Sequence, residues 1–87
     1  MKPQIVKLLE VNTKEGFMKL QFLILNRLIV DGIFEVKTGK IWLLGDSMAQ
    51  RVGFNTFMEM AEDDSWLDFI TKIQTEKHPV HGWVFRF

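Results

Sequence analysis

Few side chains in this 87-residue chain could do chemistry, and their spacing limits what that chemistry is. His78 and His81 stand three residues apart, close enough to share a metal ion, but no cysteine exists to complete a thiolate site. The acid cluster at 59–64 lies upstream, beyond the intervening segment, so two loop histidines beside Pro79 are the simpler reading. Glu59, Glu62, Asp63 and Asp64 could offer oxygen ligands to a divalent cation. The last three equally suit the N-terminus of a helix, whose dipole favours negative charge. Ser47 and Ser65 are the only serines, and neither lies in a nucleophile elbow. The glycines are scattered, so no phosphate-cradling loop forms. The expectation is a non-enzymatic protein with no metal and no cofactor.

A second kind of chemistry is phosphate contact combined with stacking. Lys37 and Lys40 precede Trp42, and Arg86 lies beside Trp83 and Phe85. Cations interleaved with aromatics on strands are what sheet surfaces use to hold nucleic acid. The formal charge is zero, which argues against a broad polyanion-binding surface. Its distribution is uneven. Residues 1–51 carry eight basic side chains against five acids, whereas residues 52–87 carry three against six. Lys37, Lys40 and Arg51, with Lys72 and Lys77, are therefore the candidate phosphate contacts. Trp42, Trp83 and Phe85 are the candidate anchors for a protein partner, because aromatics concentrate at interface cores. The competing expectation for these rings is burial, since a small domain needs them in its core.

The elements that must position these residues read mainly as strands. The β-branched ends of Ile5–Val11 mark a first strand, and Asn12–Gly16 is a cluster of turn formers. Phe17–Leu25 is too apolar to alternate and belongs in the middle of a sheet. Asn26-Arg27 interrupts it as a tight turn before Leu28–Val36. Gly39 supplies a positive φ in the next turn, and Ile41–Leu44 completes a meander. Gly45–Val52 reads as a loop and Phe54–Met60 as a further strand, because Gly53 is costly inside a helix. Trp66, Phe69, Ile70 and Ile73 recur at helical spacing after a cap at Asp64 or Ser65. Asp68 and Lys72 are placed as an i,i+4 pair on the outer side, and His78-Pro79 ends the helix. Gly82–Phe87 closes the chain as a strand. The fold class expected is α+β: an antiparallel meander packed on one C-terminal helix, with a final short strand, in a single domain.

The composition supports this: 47% of residues are hydrophobic, including eight Phe and three Trp, enough for an efficient small core. Uncharged runs such as Leu20–Asn26 fall far short of the ~20 residues a membrane helix needs. With no signal-like apolar core at the N-terminus, a cytoplasmic protein without a membrane partner is expected. Apolar strands with free edges point to a homodimer.

The order of motifs also resembles one family. Val11-Asn12-Thr13, Gly16 and Met18-Lys19 before an apolar strand are similar to the opening of the stage V sporulation protein G (SpoVG) family. Leu28–Val36, with Asp31, resembles its hairpin return, and Gly39-Lys40-Ile41-Trp42-Leu43 its next strand. Arg51 falls where that family has a basic loop residue, and 54–60 with the following helix resembles its final strand and helix. The family's characteristic Met-Pro-Ser-Lys-Arg loop is replaced here by Gly45–Arg51, without the proline and with Gln50 at a basic position. The resemblance implies a small dimeric domain that binds DNA or RNA as a regulator. The alternative is an adaptor or inhibitor, of the kind phages make, that binds a host protein.

Overall fold

A computed structural model describes residues 2–87. Six strands form one antiparallel sheet: β1 (Gln4–Asn12), β2 (Phe17–Ile24), β3 (Leu28–Glu35), β4 (Ile41–Leu44), β5 (Gln74–His78) and β6 (Gly82–Arg86). Their spatial order is β1-β2-β3-β4-β6-β5. Three short helices, α1 (Gly45–Arg51), α2 (Phe57–Ala61) and α3 (Leu67–Lys72), lie between β4 and β5 in the chain. The α+β class and the meander agree with the sequence. The single C-terminal helix does not.

Strand alternation sorts the apolar side chains into two cores. Leu20, Phe22, Ile24, Val30, Leu43 and Phe85 share one face with Met48 and Ala49 of α1 and Phe57 and Met60 of α2. Ile33, Trp42 and Val84 occupy the opposite face with Phe17 and Leu44. The helices cover only the first face, and burial along Phe17–Ile24 alternates accordingly: Leu20, Phe22 and Ile24 are buried, whereas Lys19, Gln21 and Leu23 on the other face are half-buried. Gly32, between Phe22 and Trp42, leaves the space that the Phe22 ring fills. A Cβ there would lie 2.5 Å from that ring and 2.7 Å from the Trp42 carbonyl oxygen.

The turns are specific. Gly16 and Gly39 have φ of 76° and 72°, and Asn12 Oδ1 accepts the Glu15 N–H at 2.9 Å. The β2–β3 turn is set one residue earlier than Asn26-Arg27. Leu25 (φ 52°) and Asn26 (φ 59°) both enter the left-handed region, and Arg27 N–H donates to the Ile24 carbonyl at 3.1 Å. Positive φ at successive turn residues matches the right-handed twist of the flanking strands. Leu25 is driven into this costly conformation while packing against the main core.

Three segments differ from the sequence reading. Gly45–Arg51 is helical, and Gly53 (φ 99°) lies just past its end, where a left-handed glycine lets the Phe54 N–H return to the Ala49 carbonyl at 2.9 Å. Gly53 therefore terminates a helix instead of interrupting one. Phe54–Met60 is not a strand. Thr56 caps α2 by accepting the Glu59 N–H at 3.2 Å, and the Asp46 carboxylate accepts the Phe57 N–H at 2.8 Å. Thr56-x-x-Glu59 is a capping-box spacing, and it outweighs the strand-like composition of the segment. The third helix starts from Asp63, whose carboxylate accepts the Ser65 N–H, and a 3-10 turn at Asp64–Trp66 leads into α3. It stops at Lys72, because Ile73 is extended and Gln74–His78 pairs with β6. Asp68 and Lys72 do pair, at 3.0 Å and well exposed. Among the described residues, no helix is long and apolar enough to cross a membrane.

Gly32→Ala is expected to destabilise the protein by about 1–3 kcal/mol, because the neighbours of its Cβ are a buried ring and backbone. Lys72→Ala is expected to leave the unfolding midpoint almost unchanged, as for other exposed ion pairs. Urea unfolding of the two variants checks both, and equal shifts would contradict the packing at Gly32.

Candidate nucleic-acid interface

The sequence-derived basic residues separate in space. Lys37 and Lys40 belong to the β3–β4 connection, whereas Arg51 ends α1, Lys72 ends α3 and Lys77 sits on β5. Lys72 is engaged by Asp68. Lys77 Nζ stands over the Trp83 ring at 5.4 Å. Arg51 is exposed at its helix end.

Lys40 instead joins two cations that the sequence reading left out. Lys2, Lys40 and Arg86 border a cavity of about 400 Å³ whose apolar wall includes Ile41, Leu43 and Phe87. Among the described residues, no Asp or Glu side chain lines it. The antiparallel β4–β6 pairing brings Arg86 next to Trp42, and the guanidinium stacks on that indole at 5.1 Å. Arg86 Nε donates to Gln74 Oε1 at 2.9 Å, so one side of the fork is fixed. Lys40 approaches the same indole at 6.0 Å. Trp42 thus gathers two cations at the cavity margin. The clue available in the sequence was the alternation Trp83–Phe87, which sends Arg86 to the face opposite Phe85. Lys2 had no comparable signal.

The aromatic anchors fare differently. Phe85 is fully buried and Trp42 is 4% exposed, so both are core side chains and neither is a surface for a partner. Trp83 is half-buried against the main core. The Trp42 Nε1–H donates to Glu35 Oε1 at 2.9 Å, which satisfies the one polar atom of a buried ring.

Glu35 also links this ring to the two histidines. His78 Nδ1 accepts the N–H groups of Val80 at 3.1 Å and His81 at 3.3 Å. With Nδ1 accepting, the proton of the neutral ring resides on Nε2, which faces Glu35 Oε2 at 3.8 Å. His81 packs edge-on against Phe17, with ring centroids 4.7 Å apart. These contacts fold the tip of the β5–β6 hairpin over the second core. Among the described residues, no group of three or more His, Cys, Asp or Glu is arranged to hold a metal. The histidines are hairpin fasteners here. Burial, and next the neighbouring His78, hold the His81 pKa below its ordinary 6.5, against partial opposition from Glu15 and Glu35.

Comparison of the chain with family models, curated proteins and solved structures gives no match.

Two outcomes follow for this network. Glu35→Ala is expected to cost about 1–3 kcal/mol by leaving the buried Trp42 N–H unpaired, and Glu35→Gln distinctly less, because an acceptor remains. Comparative thermal melts check the order. A folded-state His81 pKa below the unfolded one means that the unfolded chain binds the proton first as pH falls. The corresponding stability is fully present above the unfolded value near 6.5 and is lost progressively as pH falls from there through the lower folded value. The urea midpoint is expected to drop between about pH 7.5 and about pH 5.5, and to drop less in His81→Gln.

Proposed function

We propose that this protein is a small non-enzymatic regulator that binds DNA or RNA through its phosphates, as the SpoVG-like features imply, and that the apolar cavity wall suits it to single strands. The cavity bordered by Lys2, Lys40 and Arg86 carries this reading: three cationic side chains converge beside an apolar wall, with no Asp or Glu side chain among the described lining residues. Phosphate contact requires local positive charge rather than net charge, so a neutral chain can bind through such a site. Ile41 and Phe87 offer surface for an unpaired base next to its phosphate. Lys37, on the same β3–β4 connection as Lys40, extends the basic margin. Arg51, Lys72 and Lys77 lie outside the cavity lining and take a secondary role at most. The adaptor alternative loses two of its three aromatic anchors, because Trp42 and Phe85 are buried.

Fluorescence anisotropy with labelled single-stranded DNA and RNA tests this. Binding is expected to weaken steeply with salt, and Lys40→Ala and Arg86→Ala are each expected to lower the slope by about 0.7, the contribution of one phosphate contact on a single strand. Arg51→Ala is expected to change it little. Arg86→Lys keeps the charge and separates loss of phosphate contact from loss of stacking on Trp42. Absence of binding at low salt to either nucleic acid would remove the proposal.

A further inference from the structure

The two edges of the sheet are built differently. The β5 edge, Gln-Thr-Glu-Lys-His, is polar and charged, a composition that discourages pairing with other strands. The β1 edge is long and apolar. Ile5, Val6, Leu8 and Val11 are more than half exposed, and Leu9 is 38% exposed.

The register of β1 on β2 shows what such an edge would accept. Two bulges, between Ile5 and Lys7 and between Leu8 and Glu10, leave Val6 and Leu9 as the extra residues. The ladder positions therefore read Gln4, Ile5, Lys7, Leu8, Glu10, Val11, Asn12, opposite Leu23 back to Phe17. Ile5, Leu8 and Val11 lie on the helix-covered face, and Lys7 and Glu10 on the other, because each shares the face of its β2 partner. In these positions the strand is self-complementary about Leu8. An antiparallel copy related by a two-fold axis at Leu8 would set Gln4 opposite Asn12, Ile5 opposite Val11, Lys7 opposite Glu10 and Leu8 opposite itself. Every pair then matches in face and in character. The two Lys7–Glu10 pairs also oppose unlike charges directly, which favours this register over a shifted one.

We propose that β1 pairs with β1 of a second copy in this register, joining two sheets into one across an isologous two-fold interface. The bulges serve this specificity. They offset the apolar and charged positions so that only one self-pairing aligns both, whereas a flat apolar edge would accept many strands.

Sedimentation velocity over a concentration series tests the pairing with three charge variants. Wild type is expected to sediment as a dimer of the 10.2 kDa chain. Lys7→Glu and Glu10→Lys are each expected to raise the dimer dissociation constant by about tenfold or more, since both symmetry-related pairs become like-charged. The double variant Lys7→Glu/Glu10→Lys is expected to restore dimerisation. Circular dichroism of each variant shows whether the monomer remains folded, and Leu8→Arg, at an exposed site, gives an independent break at the axis. A monomeric wild type overturns the proposal and leaves the edge to a foreign strand. Dimers indifferent to the single variants and to Leu8→Arg overturn it as well. Failure of the folded double variant to recover overturns the register. Nucleic-acid affinity is read separately, so either proposal can fail without the other.

Discussion

Two residue pairs, Leu43 with Phe85 and Leu44 with Val84, join the N-terminal four-stranded sheet to the C-terminal hairpin. Each pair serves a different face. Leu43 and Phe85 belong to the helix-covered core, and Leu44 and Val84 to the opposite one. Phe85 stacks on Phe57 at 5.8 Å and meets Phe69 edge-on at 5.9 Å, so the same short junction also seats α2 and α3. Phe85 thereby ties the C-terminal hairpin into the core that β2, β3 and β4 form with α1 and α2. A core this dense tolerates little change in volume, because neighbouring rings cannot relax into space that does not exist.

The cation cluster depends on this junction. Arg86 reaches Trp42 only because β6 lies beside β4, and the hydrogen bond between Trp42 and Glu35 holds the indole in place. A buried ring, paired at its one polar atom, then presents two cations at the edge of an apolar cavity. The histidines contribute from the far end of the same hairpin. His78 organises the Val80 and His81 backbone, and His81 closes over Phe17. Polar groups are thus used to fasten the sheet, while the unpaired charge gathers at the cavity margin.

The outer strand is the part that this arrangement leaves open. Of the helices, α1 packs on β3, β4 and β6. The apolar face of β1 lies beyond its cover and stays exposed, while the opposite edge is polar. An apolar edge with a fixed, bulged register is a surface of defined shape, and exposed apolar area of this kind marks a site of association.

Residue order alone determined the antiparallel meander, the Gly16 and Gly39 turns, the terminal strand and the Asp68–Lys72 pair, because each rests on short-range pattern or turn chemistry. It also carried signals that point against the strand reading of residues 54–60: the Thr56–Glu59 capping spacing and a glycine placed to end a helix at 53. Tertiary structure decided the rest. Gln74–His78 became a strand because β6 offered an edge whose hydrogen bonds outweighed continuation of the helix. Phe85 became core under the helices, and Trp42 became core with Ile33 and Val84 on the other face, because strand pairing decides which rings gain neighbours and alternation in one strand cannot reveal it. Lys2, Lys40 and Arg86 met because three segments distant in the chain converge on one cavity, and proximity of that kind is written in strand pairing and not in local sequence.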